Sequence, residues 1–267
     1  MAKIRLAVFD WAGTTVDYGC IAPYVTFQKT FAEKNIELTK EEILAPMGME
    51  KKDHIRTLLQ MERVAAQWEE KYNRPWTEAD VEELYEMFEG SLADVVAEYS
   101  TPIPQVVETI KKLREEEIFI GSTTGYTGAM MEKVLPKAKE NGYEPDYLVT
   151  PEMVGSGRPA PFMIYENMRK FGVYPAKSVV KVGDTVMDIR EGVSAGVWTV
   201  GILEGSSQMG YSEEEMKNLT TEELNASKKK AVQEYLDAKA DFVIETMAEL
   251  PDVIDKINQM LAEKEAK

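Results

Sequence analysis

Residues Leu6-Ala7-Val8-Phe9 form a short apolar run that stops on one carboxylate, Asp10, and then breaks into Trp11-Ala12-Gly13-Thr14-Thr15. An apolar strand ending abruptly in an Asp and a small-residue turn puts that carboxylate at the carboxyl end of the strand. In open α/β sheets this is the edge that binds ligands. Asp10 is therefore the first candidate for a nucleophile and a metal ligand.

The rest of the chain divides into two kinds of pattern. Between about residues 21 and 99 no segment reads as a strand, and helices are expected at 24–34, 40–44, 49–60, 64–72 and 77–99. The last begins on Thr77-Glu78-Ala79-Asp80, a cap followed by an acidic first turn. Thr101-Pro102-Ile103-Pro104 is a rigid return linker. From there helices at 104–116, 127–141, 160–171 and 186–195 alternate with strands at 118–122, 147–150, 179–182 and 197–201. Acidic helices over 212–239, a strand at 241–244 and a helix at 247–264 close the chain. Such alternation predicts a doubly wound, Rossmann-like α/β fold: a parallel sheet with helices on both faces. The expected organisation is a catalytic core of residues 1–19 and 101–267, with residues 20–100 inserted as an all-helical cap domain.

Composition narrows the chemistry. With 267 residues the chain can bury a large core. Its net charge of −16 argues against nucleic acid and anionic membrane surfaces as partners. One cysteine, Cys20, allows no intrachain disulfide. With no signal pattern and no long apolar run, a cytoplasmic location is expected. There is also one histidine, His54, which excludes a multi-histidine zinc site. Hydrolytic chemistry in this chain would run on carboxylates, lysine and a hard metal ion.

Three strand ends carry residues suited to that chemistry: Asp10, then Ser122-Thr123-Thr124-Gly125-Tyr126, then Gly183-Asp184-Thr185 with Asp188 beyond. Parallel strands bring these tips to one edge. Between the last two lies Gly157-Arg158-Pro159, a cation in a loop before a helix. The set suits a phosphoryl group. A carboxylate can attack phosphorus, and Mg²⁺ prefers oxygen ligands such as Asp10 and Asp184. Thr124 and Gly125 can hold phosphate oxygens, and Arg158 can neutralise the remaining charge. Singly, each residue has a plainer reading, since an Asp after a strand is more often a turn or helix cap.

The order of Asp at the first strand, Thr at the second, a basic residue and then Gly-Asp-x-x-x-Asp resembles the haloacid dehalogenase superfamily, whose cap is inserted where the helical segment lies. One departure is informative. Most phosphatases of that superfamily carry a second Asp two residues after the nucleophile as general acid and base. This chain has Ala12, whose backbone carbonyl alone is left to bind a metal. Residues 9–19 are similar to the phosphonatases of the superfamily, as are Pro46-Met47-Gly48, Lys51-Lys52-Asp53-His54-Ile55-Arg56, Thr150-Pro151 and the stretches 121–127, 181–188 and 195–201. The resemblance runs from about residue 4 to 205, and more weakly to 247.

The resemblance implies hydrolysis of the carbon–phosphorus bond of phosphonoacetaldehyde to acetaldehyde and phosphate. A carbanion is too basic to leave unaided, so an electron sink on the adjacent aldehyde is needed, and a lysine Schiff base supplies one. By resemblance that lysine is Lys51, in the cap. Burial, Lys52 and Arg56 would lower its pKa. On the residues alone, Lys51 reads as a solvated helix lysine and cannot be chosen over Lys52. The resemblance further implies His54 as a proton shuttle, Met47 and Tyr126 as supporting site residues, Asp10, Ala12, Asp184 and Asp188 around Mg²⁺, and a homodimer through the cap helices. The alternatives are a phosphate-ester phosphatase or phosphomutase, against which Ala12 counts, and a phospho-acceptor signalling module, against which the large insertion and the basic cap motif count.

Overall fold

A computed structural model describes residues 3–265. The outermost residues of the expected core, 1–2 and 266–267, lie outside that range. The chain begins with β1 (Leu6–Phe9). Six helices follow before the second strand, and the first five make up the insertion: α1 (Ile21–Glu33), α2 (Lys40–Leu44), α3 (Lys51–Gln60), α4 (Glu62–Tyr72) and α5 (Glu78–Val95). Then come α6 (Val106–Glu115), β2 (Phe119–Thr123), α7 (Gly128–Glu140), β3 (Tyr147–Val149), α8 (Pro151–Val154), α9 (Phe162–Phe171), β4 (Val179–Gly183) and α10 (Val186–Ala195). The chain ends with β5 (Trp198–Ile202), α11 (Glu213–Asn218), α12 (Thr221–Asp237), β6 (Phe242–Ile244) and α13 (Leu250–Glu265).

The six strands form one parallel sheet in the order β3-β2-β1-β4-β5-β6. Strand β1 is fully buried, and its side chains alternate between two layers. Ala7 and Phe9 join the larger core with Ile110, Leu113, Leu250 and Ile254, while Leu6 and Val8 pack with Ile164, Val173 and Val197. Burial on both faces is why this strand reads as continuous apolar sequence. Because β1 is flanked by β2 and β4, the tips bearing Asp10, Thr123–Thr124 and Asp184 are neighbours. The expected α/β fold is therefore observed.

The differences are local. The first helix starts at Ile21, because the carboxylate of Asp17 accepts the N–H groups of Ile21 and Ala22. The helix expected from residue 49 starts at Lys51, because Gly48, at φ 86°, turns the chain just before it. The helix expected to reach residue 99 ends at Val95. The short α8, opened by Thr150-Pro151, was not expected. Among the described residues, no helix is long and apolar enough to cross a membrane.

Candidate active site

The turn after β1 is built around one carbonyl. The N–H groups of Thr14, Thr15 and Val16 all donate to the Trp11 oxygen (3.0, 2.8 and 3.1 Å), and Thr15 Oγ1 donates to the Asp10 carbonyl (2.9 Å). Asp10 N donates to Val182 O (3.0 Å), extending the ladder one residue past the strand. Gly13, at φ 83°, lies so close to Asp184 that a Cβ there would sit 2.3 Å from its Oδ2. Only glycine permits that approach. Asp184 is held by Thr14 Oγ1 (3.0 Å) and by the N–H and Oγ of Ser207 (2.9 and 2.6 Å). Asp188 closes the N-terminus of α10, where its Oδ2 accepts the Thr185 hydroxyl (2.6 Å) and N–H (3.2 Å).

Asp10, Asp184 and Asp188 each bring one carboxylate oxygen within 4.8 Å of the others, and all three are buried. Burial pushes the Asp184 carboxyl well above its ordinary range, and the charges of Asp10 and Asp188 push it further. A divalent cation relieves that repulsion, and an all-oxygen donor set favours a hard ion over zinc. The residues therefore fit a metal of the Mg²⁺ class.

Arg158 is the largest change from its plain reading as a loop cation. It is only 7% exposed. Its Nη2 lies 2.6 Å from Asp10 Oδ1 and 3.2 Å from Asp188 Oδ1, and its Nε lies 3.1 Å from Glu191 Oε2. Lys181, fully buried in β4, reaches Asp188 Oδ1 (2.9 Å), Glu191 Oε2 (3.2 Å) and Thr123 Oγ1 (2.7 Å). Burial alone would raise the pKa of Asp188, but Arg158 and Lys181 outweigh it and hold the carboxyl below its ordinary range. Lys181 and Glu191 were not singled out from the sequence. Their signals were a charge inside the apolar run Val179-Val180-Lys181-Val182, and a carboxylate one helical turn after Asp188.

The helical insertion meets these strand tips through the loop before α3. A Cβ on Gly48 would lie 2.4 Å from Thr185 Oγ1, and one on Gly125 would lie 3.4 Å from Met49 O. Asp10, Ala12, Met47, Lys51, Thr124, Gly125, Tyr126 and Arg158 line a common cavity of about 20 Å³, together with Cys20, Gly48 and Thr185. Larger cavities, of about 740, 640 and 420 Å³, lie within the insertion, between it and α10–α12, and beside α11, and none is lined by Asp10, Asp184 or Asp188.

Lys51 is buried, its Nζ 5.4 Å from the Tyr126 ring centroid and 5.8 Å from that of Phe27. Burial lowers its pKa and Arg158 adds to this, while Asp10 and Asp184 pull the other way without cancelling it. The expected help from Lys52 and Arg56 is corrected, since both heads are engaged elsewhere. Lys52 pairs with Glu82, and Arg56 pairs with Asp53 and with Glu78 (2.9 Å). Thr124 Oγ1 accepts the Tyr126 N–H (3.0 Å), which fixes the loop after β2. The Tyr126 hydroxyl is buried without a hydrogen-bond partner among the described residues, and burial pushes its pKa well up.

His54 does not line the cavity. Its ring stacks on Phe27 with centroids 3.9 Å apart, it is fully buried, and neither nitrogen makes a hydrogen bond among the described residues. Burial and the Lys51 charge hold its pKa well below 6.5.

The model of the haloacid dehalogenase-like hydrolases matches residues 7–202. The phosphonoacetaldehyde hydrolase of Bacillus cytotoxicus is 48% identical over 96% of this chain and 97% of its own length. The chain belongs to the phosphonoacetaldehyde hydrolases, within the haloacid dehalogenase-like hydrolases. A bifunctional phosphonoacetaldehyde hydrolase/aminoethylphosphonate transaminase of Clostridioides difficile is 51% identical over 96% of this chain, which spans 40% of that longer protein. The crystal structure of a phosphonoacetaldehyde hydrolase-like protein from Oleispira antarctica superposes with a TM-score of 0.94 at 36% identity, covering 97% of this chain and 94% of that one. The chain is thus an enzyme of the class that hydrolyses carbon–phosphorus bonds, and a small phosphonate is consistent with a cavity built around a carboxylate, an arginine and a buried lysine.

Proposed function

We propose that this protein cleaves phosphonoacetaldehyde to acetaldehyde and phosphate through a Lys51 Schiff base and an aspartyl phosphate on Asp10. The observation that carries the reading is Lys51 itself. It is buried, its pKa is depressed, and it lines the same small cavity as Asp10, where Ala12 offers no acid. Deprotonated Lys51 Nζ attacks the aldehyde carbon, and water leaves to give an imine. With the imine nitrogen protonated, an Asp10 oxygen forms a bond to phosphorus as the carbon–phosphorus bond breaks, and the electron pair of that broken bond moves into the iminium to give a neutral enamine. The enamine is protonated on carbon. One water hydrolyses the aspartyl phosphate and another releases acetaldehyde from Lys51.

Thr124, Gly125 and Arg158 hold the phosphoryl oxygens in this scheme, and Met47 and Tyr126 wall the imine. Asp10, the Ala12 carbonyl, Asp184 and Asp188 would hold Mg²⁺, which lessens the repulsion between the carboxylates and the substrate anion. His54 is the expected proton shuttle, and it reaches the imine only if the Phe27 contact opens. A cavity of about 20 Å³ holds no more than roughly one water. Residues 20–100 therefore act as a cap domain that lifts from the core to admit substrate and closes to exclude water. The family resemblance also supports a homodimer through the cap helices and a cytoplasmic location.

Borohydride reduction in the presence of phosphonoacetaldehyde tests the scheme, with the adduct mapped by mass. The expected adduct is on Lys51, and Lys51→Arg gives neither adduct nor turnover. An active enzyme with no adduct, or one on Lys52, refutes the assignment. Turnover of phosphomonoesters with indifference to phosphonoacetaldehyde would establish an ordinary phosphatase instead.

A further inference from the structure

Behind Arg158 lies a buried cluster, Thr123, Lys181 and Glu191, that the proposed chemistry does not itself use. Its centre is Thr123 Oγ1. It accepts from Lys181 Nζ (2.7 Å) and Arg158 Nη2 (3.0 Å) and donates to Glu191 Oε2 (3.3 Å). That same Glu191 oxygen also takes Arg158 Nε (3.1 Å) and the Lys181 ammonium (3.2 Å). The other oxygen, Oε1, is buried and makes no hydrogen bond among the described residues. A buried carboxylate with one bare oxygen is a poor way to stabilise a core, where apolar side chains do as well or better. Such a group calls for a reason other than stability.

The geometry points to Glu191, with Lys181 behind it, as a positioning residue for phosphoryl binding. It grips Arg158 through Nε, so that the guanidinium keeps its other edge on the substrate side when Asp10 turns to phosphorus. Nη2 contacts Asp10 Oδ1 at 2.6 Å. Its other contacts, with Asp188 Oδ1 (3.2 Å) and with Thr123 O and Oγ1 (3.1 and 3.0 Å), fall on that same Nη2, so among the described residues an anchor at Nε is what keeps the guanidinium from turning with the nucleophile. Glu191 supplies that anchor from α10, three residues after Asp188, and Lys181 bridges Glu191 and Asp188 from β4. A guanidinium presents its donors in a fixed plane, so holding Nε sets the direction of the remaining ones. Glu191 touches neither substrate nor the reacting atoms in this assignment. The proposal rests on Arg158 being a phosphoryl ligand.

The test uses Glu191→Gln, which keeps shape and removes charge, with inorganic phosphate as the probe. Calorimetry on the Mg²⁺-loaded protein is expected to show phosphate binding about tenfold weaker, since hydrogen bonds to charged groups are the strong ones and one is being downgraded. Mg²⁺ affinity of the metal-free protein is expected to stay within about twofold, because Asp10, Asp184 and Asp188 are kept. Borohydride trapping of acetaldehyde on Lys51 should also be unchanged, because acetaldehyde carries no phosphoryl group. Phosphate affinity equal to wild type overturns the proposal, as does a parallel loss of Mg²⁺ and phosphate binding. Should the single variant not fold, Lys181→Met/Glu191→Gln removes both members of the pair. The double variant is expected to bind phosphate weakly, and wild-type affinity in it would show that the pair only balances charge. Failure of wild type itself to trap acetaldehyde counts against the Schiff-base reading and leaves this one standing.

Discussion

Replacing Asp17 with Asn should make the protein more stable at alkaline pH. Asp17 closes the turn leading from β1 into the helical insertion, in the left-handed region at φ 57°. Its carboxylate accepts the N–H groups of Ile21 (2.9 Å) and Ala22 (3.1 Å) at the start of α1. Burial raises its pKa from 3.8 to about 7, although those N–H groups and Lys51 oppose the rise. Between these pH values the native state keeps a proton that the unfolded state has lost. The contribution is fully present below pH 3.8 and is lost as pH rises through about 7. At ~1.4 kcal/mol per pH unit, about 4 kcal/mol disappears across the window, about 3 kcal/mol of it between pH 5 and pH 8.5. Asn tolerates the left-handed conformation and keeps one acceptor, at a cost of about 1 kcal/mol for the lost cap bond. The variant should therefore match wild type near pH 5 and exceed it by about 3 kcal/mol near pH 8.5. Urea unfolding of both proteins across that range measures the difference. A difference independent of pH would show that Asp17 is ionised in the native state throughout, and would refute the reasoning.

The single histidine offers a clean NMR test. Burial should keep His54 neutral from pH 8 to well below 6.5, and a midpoint near 6.5 would contradict its placement on Phe27. Stability should correspondingly fall as pH drops below about 6.5, because unfolded histidine takes up the proton that the native ring refuses. Gly13→Ala forces a Cβ to 2.3 Å from Asp184 Oδ2 at φ 83°. It should cost about 2 kcal/mol or more in urea unfolding and weaken Mg²⁺ binding by calorimetry, and wild-type values for both would refute the close approach.

Much of the fold could be read locally. β1 announces itself as unbroken apolar sequence because it is buried on both faces, and α10 announces itself through Thr185 and Asp188, which cap it reciprocally. The boundaries that shifted were those set at a distance. Asp17 starts α1 early by lending its carboxylate, and Gly48 delays α3 because the loop there must fit against Thr185. The site divides in the same way. Asp10, Thr124, Asp184 and Asp188 were legible because chain direction and a parallel sheet bring strand tips to one edge. Lys51 was legible only through family resemblance, since a lysine beginning a helix looks solvated until something covers it.

The amino-acid sequence by itself determined the α/β class, the helical insertion and the identity of the strand-tip carboxylates, because these follow from periodicity and chain direction. Only the tertiary structure decided the rest. It buries Lys51 and lowers its pKa, turns Arg158 from a loop cation into the partner of Asp10, joins Lys181 to Glu191, and withdraws His54 against Phe27. Each of these depends on which residues, far apart in the chain, exclude water from one another, and hydration and charge environment are properties of the packed molecule.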